Sequence, residues 1–574
     1  VLTRLNAWPE QAAFDLVVVG AGAAGLAAAL FAALDGAQVL LVERTGFVGG
    51  SSALSAGTTW VPGSLHAPAS DSTAQALGYL DRAVGQHAPR DLREAFLREG
   101  PAAIAELATR TEVRFRPCAR HPDYLSHLAG ATPAGRALEP LPFDGRRLGP
   151  LFSLLRPPIP EFTVLGGMMV DRNDIHHLLG MRRSFASLRH SLQILLRHAA
   201  DRLRHSRGTR LVMGNALVAR LLHALARQSG VSLLVETEVT ALARSHERVD
   251  RVTLQQAGDQ RTVLARRGVV LAGGGFNRHP QRRADLLPGA EAAWCPGAPG
   301  HTGAAQDLAL ALGAQLGRGA AAHAYWAPVS LRRRPDGSQA VFPHFVMDRA
   351  KPGMLTVGAD GRRFVDESTS YHLFGLAMQR PGARQVPAFL ICDALALRRY
   401  GLGMVRPGGK GLARFLADGY LVQAGSLAEL AQRLSLPAPA LAETVARLNH
   451  FAAIGVDEDF GRGVGDYAHN IGDATAGGLN PNLGPLQTAP FYAVRLFPGD
   501  IGAATGLQGD EHARVLDGQG QAIPGLYACG NEMQSVMGGV YTGPGITIGP
   551  AIVFARIAAR HAMQNRPASA APKP

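Results

Sequence analysis

Asp15-Leu-Val-Val-Val-Gly20-Ala-Gly22-Ala-Ala-Gly25-Leu-Ala-Ala-Ala-Leu-Phe-Ala-Ala33 decides the fold of this 574-residue chain. Residues 15–19 read as a buried parallel strand, the glycines as a tight turn, and residues 26–33 as a helix. In that order they form a dinucleotide fingerprint. Gly20 makes the turn, Gly22 lets backbone approach a pyrophosphate, and Gly25 lets helix and strand pack closely, with Ala23 and Ala24 of the same turn as further candidate cofactor contacts. A second apolar strand, Gln38-Val-Leu-Leu-Val42, ends at Glu43, 23 residues after Gly20, where a carboxylate suits a ribose diol. Glycines alone are weak evidence, but strand, helix and acid in register are strong. The same stretch contains 19 uncharged residues, Leu16 to Leu34, enough on paper to cross a bilayer or serve as a leader. Its three glycines argue for strand, turn and helix, so neither a membrane span nor an export signal is expected.

Further glycine loops choose the dinucleotide. Arg44 and Phe47-Val-Gly49-Gly50-Ser51-Ser52 follow the ribose acid, Val269-Val-Leu-Ala-Gly273-Gly274-Gly-Phe276 is a strand running into glycines, and Gly525-Leu-Tyr-Ala-Cys-Gly530-Asn531-Glu532 is another. The Gly-Gly-Ser loop and both strands resemble those of FAD enzymes of the fumarate reductase and ketosteroid dehydrogenase group, which favours FAD over NAD. Val239, Gly545 and Ile546 complete the candidate cofactor contacts.

The chain is too long for one ordinary core, so more than one domain is expected. An α/β Rossmann-like FAD domain over 1–321 and 500–574 is expected to be interrupted by an α+β substrate-capping domain over 322–499, where proline-broken aromatic segments replace the glycine turns. With 47% hydrophobic and 18% charged residues the composition is that of a globular enzyme, apart from an Ala/Pro-rich end after Gln564. Cys118, Cys295, Cys392 and Cys529 show no metal-ligand spacing and read as reduced thiols. The net charge of +13 comes almost wholly from arginine. No nucleic-acid motif accompanies it, so nucleic acid is set aside.

That charge is concentrated in one place. Residues 171–210 carry nine arginines and five histidines against three aspartates. Within them Phe185, Leu188, Leu192, Leu195, Ala199 and Leu203 recur at helical spacing, with Arg183, Arg197 and Arg204 towards the other side. Such a helix lies on an anionic membrane surface, packs on the protein's own core, or meets a second subunit, and amphipathicity does not choose among these.

The closing segment carries the chemistry. Tyr541-Thr-Gly543-Pro544-Gly545 precedes a predicted helix, whose unpaired N–H groups favour developing negative charge. Together with the flavin loops it resembles the 3-ketosteroid Δ1-dehydrogenase family over nearly the whole chain, with Thr542 where proline is frequent. Arg363-Phe-Val-Asp366-Glu367-Ser-Thr-Ser-Tyr371 resembles a second family element, with Asp366 in place of asparagine, and His121-Pro-Asp123-Tyr124 followed by Gly135-Arg136 resembles a third. A lone tyrosine is usually a half-buried core residue. Three at matching positions are better read as a site.

The resemblance implies that Tyr541 and the Gly545 N–H hold a ketone oxygen, that Tyr371 removes a proton from carbon 2 with help from Tyr124, and that a hydride passes from carbon 1 to flavin N5. It implies an apolar 3-ketosteroid substrate and an external electron acceptor. The basic segment points towards cholest-4-en-3-one and to a cytoplasmic enzyme that also lies on the inner face of the membrane. A Δ4-(5α)-dehydrogenase lacks this closing turn and carries Gly-Thr-Ser-Leu-Gly instead. A fumarate reductase carries a His-Pro-Thr signature that is missing here. A flavoprotein acting only as a redox sensor or binding module is a third rival.

Overall fold

The computed structural model describes residues 2–565 apart from 10, 11, 69, 70, 381, 383 and 384. All but Asn565 of the Ala/Pro-rich end lies outside the described residues. The fingerprint folds as β1 (Ala13–Val19), α1 (Ala23–Leu34) and β2 (Val39–Val42). The helix starts three residues earlier than the glycine spacing predicts, because Gly22 already serves as its N-cap. The uncharged run from Leu16 is therefore a strand, a turn and a helix, and no described helix is long and apolar enough to cross a membrane.

β3 (Val231–Leu234), β4 (Glu238–Ser245), β5 (Arg248–Gln256) and β6 (Asp259–Leu271) extend this sheet in the order β3-β2-β1-β6-β5-β4. Strands β3, β2, β1 and the far end of β6 run parallel, with Val17 opposite both Leu40 and Val269. Their parallel stretches are apolar runs, as strands buried on both faces are. The first part of β6 pairs instead in an antiparallel hairpin with β5. A single strand thus joins the nucleotide-binding sheet to an edge ribbon.

A second sheet stands beyond it. β7 (Ala324–Arg333), β8 (Gln339–Pro343), β9 (Met354–Val357), β10 (Ala388–Cys392), β11 (Leu421–Ala424) and β12 (Phe491–Ala503) pair in the order β8-β7-β12-β10-β9, with β11 on β12. All these pairings are antiparallel. Strand β12 runs through the boundary expected at 499, because it stays paired with β7 as far as Ala503 opposite Ala324. The chain then returns to the first sheet, where β13 (Arg514–Leu516) pairs with β14 (Ala522–Ala528) and β14 lies parallel to β6, Leu526 opposite Val269. The last helix, Ile548–Gln564, packs on α1.

The arginine-rich segment folds as two helices, Arg172–Leu179 and Phe185–Arg202. In the second, the residues facing the protein are Ser187, Ser191, Ile194, His198 and Asp201. Phe185, Leu188, Leu192 and Leu203 are exposed, by 82%, 37%, 46% and 85%. Most of the predicted stripe therefore points outward, uncovered by the protein's own core, whereas Leu195 turns inward to pack beside Met168 and Val170 on the cavity wall.

Candidate active site

One cavity of about 1580 Å³ runs from the glycine turns at the end of the first sheet to the arginine-rich segment. A single small-molecule pocket is roughly 300–1,000 Å³, so this space suits a large cofactor and a substrate together.

At its nucleotide end, Gly20 has φ +104°, and a Cβ there would lie 2.4 Å from Ala272 O. Gly22 faces open space, with nothing within 4 Å of an added Cβ. This is the room a pyrophosphate needs at a helix start. Glu43 stands at the end of β2, where its Oε2 accepts from Ala21 N (2.9 Å) and its Oε1 from Thr45 N (2.9 Å). Ser52 Oγ accepts from Ala23 N and Ser51 Oγ from Ala298 N, which ties the Gly-Gly-Ser loop to the fingerprint turn and to a loop near residue 300. Arg44 bonds Thr302 and pairs with Glu238.

Glu532 is buried, its Oε2 accepts from Gly275 N (3.0 Å), and its Oε1 has no hydrogen-bond partner. Burial pushes its carboxyl up to about 6 against the pull of the Gly275 N–H. An orphaned acceptor on the cavity wall beside open glycine turns fits the hydroxyl-rich chain of FAD. Of the predicted contacts, Gly20, Gly22, Ala23, Ala24, Glu43, Arg44, Gly50, Ser51, Ser52, Val239, Gly273, Gly274, Gly530, Asn531, Glu532 and Gly545 all line the cavity. Gly25 and Ile546 do not. A Cβ on Gly25 would meet Gly20 O at 1.7 Å, so it serves strand–helix packing, and Ile546 is a buried apolar side chain. Sequence reading missed His301, whose ring fills the space in front of Gly274. Burial lowers its imidazole to about 4, so it is neutral.

At the far side of the flavin turns the three tyrosines meet, each 7% exposed. The Tyr124 hydroxyl donates to Tyr371 Oη over 3.1 Å. The rings of Tyr124 and Tyr541 stack at 5.5 Å, and Tyr371 stands edge-on to Tyr541 at 5.1 Å. Residues that are hundreds of positions apart are held together by specific contacts. Tyr124 N and the Tyr79 hydroxyl both donate to Thr542 O, so the turn after Tyr541 is fastened to the Tyr124 loop. The Thr542 side chain sits in the core, with its Oγ1 3.6 Å from Met537 Sδ, and the departure from proline costs the turn nothing visible. Asp123 accepts from Trp60 Nε1 and Arg136, and Arg136 also binds Asp71, all buried. Tyr371 opens a helix (Tyr371–Met378) capped by Ser370. Asp366 accepts from Ser368 N and Oγ at 2.6 Å each, so the aspartate completes the turn as an acceptor.

Gly545 has φ +93°, and a Cβ there would strike Thr58 O at 2.4 Å. No described residue accepts from its N–H. Burial, reinforced by the neighbouring phenols, pushes Tyr371 and Tyr124 well above the usual phenol range, and burial raises Tyr541 as well. The cluster presents two hydrogen-bond donors, Tyr541 O–H and Gly545 N–H, beside a coupled phenol pair. Phe345, Tyr325 and Tyr467, which carry no sequence signal, wall it in at ring separations of 4.9, 5.0 and 4.5 Å.

The sequence profile of the FAD binding domain family matches residues 15–548. The chain is 35% identical to the 3-oxosteroid 1-dehydrogenase of Mycolicibacterium smegmatis, covering 95% of this chain and 96% of that one. It is also 35% identical to the 4-oxocyclohex-2-ene-1-carboxylate 5-dehydrogenase of Sinomonas cyclohexanicum, covering 96% and 93%. Among solved structures, it superposes on the 3-ketosteroid Δ1-dehydrogenase of Sterolibacterium denitrificans in complex with 1,4-androstadiene-3,17-dione. The TM-score is 0.89 at 33% identity, over 96% of this chain and 100% of that one. With its glycine turns, its fold and this likeness along the whole chain, the protein belongs to the 3-ketosteroid Δ1-dehydrogenase family of FAD-dependent oxidoreductases.

Proposed function

We propose that the chain carries out the 1,2-dehydrogenation of 3-keto-4-ene steroids to 1,4-dien-3-ones. The observation that carries this reading is the convergence of Tyr541 O–H, an unclaimed Gly545 N–H and the Tyr124–Tyr371 pair on one apolar cavity wall. A ketone's α-hydrogen is too weakly acidic for a side chain to remove unaided. Tyr541 and Gly545 donate to the ketone oxygen and stabilise the enolate-like transition state, as preorganised donors in a dry site do. Tyr371 takes the carbon 2 proton, and the Tyr124 O–H donated to Tyr371 Oη stabilises the charge on that base.

FAD would be held by the Gly20–Ala24 turn, Glu43, Ser51, Ser52, Asn531 and Glu532. When bound, it supplies the two-electron acceptor for the hydride leaving carbon 1. Residues around the second sheet, expected as the capping part, add apolar lining through Phe342, Phe345 and Met404.

The likeness to an enzyme named for a one-ring oxo acid raises a smaller substrate as an alternative. The length of apolar wall from Tyr371 through Phe345, Met169 and Leu179 to Leu195 favours the larger, fused-ring one. Because that wall ends at the outward apolar stripe of Phe185–Arg202, we also propose cholest-4-en-3-one as a substrate and an anionic membrane surface as the partner of the stripe. Arg183, Arg189 and Arg204 flank it in solvent, as such a surface requires. Anaerobic mixing of the FAD-loaded enzyme with a panel of 3-ketosteroids tests the central reading. Bleaching of the oxidised flavin with a 1,4-dien-3-one product is expected, and no bleaching by any steroid refutes it.

A further inference from the structure

Arg349 is fully buried, yet no described carboxylate pairs with it. The two acidic residues whose atoms Arg349 touches are already engaged. Glu367 pairs with Arg363 (2.7 Å) and Arg462 (3.2 Å), and Asp348 with His344 (2.6 Å). The guanidinium Nε donates to the carbonyls of His344 and Phe345 (3.1 Å each) and Nη1 to that of Glu367 (2.5 Å). Nη2 forms no well-shaped hydrogen bond; the neighbour left to the guanidinium is the buried hydroxyl of Tyr467, whose ring lies 4.5 Å from that of Tyr124. A charge held out of water without a counter-ion is costly, and such groups concentrate where function uses them.

This charge acts on Tyr124, the hydrogen-bond donor of the phenol pair, and on Tyr467 behind it. Burial raises Tyr124 well above the usual range and Tyr467 to about 12, and on both the positive charge of Arg349 pulls the other way. The other titratable groups around the pair do not replace it. His121 and His372 are lowered by burial to about 3 and about 4 and stay neutral, Tyr541 is itself a raised phenol, and Asp366 on the neighbouring turn opposes ionisation.

We infer that Arg349 is the buried positive charge that lets the Tyr124–Tyr371 pair carry the phenolate needed to act as a base. This rests on the reading of Tyr371 as that base. The pair loses one O–H proton to bulk water, and the negative charge stays on Tyr371 Oη, which accepts from Tyr124. The phenolate then takes the carbon 2 proton as the carbon 1 hydrogen leaves with its electron pair to the flavin. Arg349 touches no reacting atom. It is a positioning residue, acting through Tyr124 and through the carbonyl of Phe345, whose ring meets Tyr371 at 4.9 Å.

The test is the pH dependence of flavin reduction by androst-4-ene-3,17-dione in anaerobic single turnovers of the FAD-loaded enzyme. Arg349→Gln is expected to move the rising alkaline limb up by about one unit or more, which slows reduction about tenfold at neutral pH and restores it at alkaline pH. Arg349→Lys keeps the charge and is expected to keep most of the limb's position. Tyr467→Glu gives Nη2 a counter-ion while leaving the three carbonyl contacts of Arg349 in place, so it serves if Arg349→Gln fails to fold. It is expected to shift the limb in the same direction. A uniform loss at every pH with the limb unmoved, in either neutralising variant, overturns the inference and leaves Arg349 as an anchor for three carbonyls. Tyr371→Phe with an unimpaired rate overturns the base reading itself. An inactive Tyr371→Phe together with an unmoved limb overturns only the role of Arg349.

Discussion

The phenol corner and the arginine-rich helix stand at opposite extremes of the same cavity. At the corner Tyr124, Tyr371 and Tyr541 are each 7% exposed and clamped by buried bonds such as Arg136 to Asp71 and Asp123. On the helix Phe185, Leu196 and Leu203 are 82%, 69% and 85% exposed, and the face turned inward is polar apart from Ile194. Asp174, fully buried, binds Arg210 (2.7 Å) and His190 (2.9 Å), and Asp201 accepts from Thr209 N and Oγ1. The helix is attached through ion pairs, hydrogen bonds and the small apolar contact of Ile194 and Leu195 with Met168 and Val170, and leaves most of its apolar side unused by the fold. Enolate chemistry needs fixed donors away from water, whereas delivery of an apolar substrate needs apolar surface in reach of whatever supplies it.

The largest effect is expected at the corner. Tyr371→Phe should lower the single-turnover rate of flavin reduction by about 10²–10⁴, the range of a lost general base, without loss of FAD. Unchanged reduction would remove the corner from the chemistry. Tyr541→Phe takes away one of the two proposed donors to the ketone oxygen and should cost about 10²–10³ in the same measurement. In the native enzyme that rate should rise with pH through the neutral and alkaline range. The base acts deprotonated, and burial holds Tyr371 and Tyr124 above the usual phenol pKa, so each step down in pH depletes the active form. A flat profile from neutral to strongly alkaline pH contradicts this.

Between the extremes lies the cofactor turn. Gly22→Val should fold, because open space surrounds its Cβ position, yet retain at least about tenfold less FAD after gel filtration; full retention would mean that the cavity floor is not the pyrophosphate site. The smallest effects belong to the helix. Phe185→Ser or Leu196→Ser should each weaken binding to anionic vesicles by about tenfold, as expected when one large apolar side chain no longer leaves water. Arg204→Gln should weaken it about fivefold and only at low salt. Turnover of androst-4-ene-3,17-dione should stay constant in all three. Equal vesicle binding by native and altered helices would leave a second subunit as the better cover for the stripe.

Sequence alone determined the local and the patterned. The first strand, helix and ribose acid were legible because apolar periodicity and three glycines admit few backbone paths, and FAD followed from the resemblance of the later glycine loops to those of a known group of FAD enzymes. The tyrosines were legible through short motifs, each local to a few residues. The amphipathic helix was legible as a helix, but not in its orientation, because periodicity marks a stripe without saying what covers it.

Only the tertiary structure decided which residues meet. It brought Tyr124, Tyr371 and Tyr541 within ring contact, seated His301 between glycine turns, and left Arg349 buried beside the phenols without a counter-ion. None of these has a neighbour in sequence that announces it. The physical reason is that electrostatic and hydrogen-bond partners are set by long-range packing, where strand β12 and the turn after Tyr541 return from distant parts of the chain. Sequence patterns record only which face of each element seeks burial.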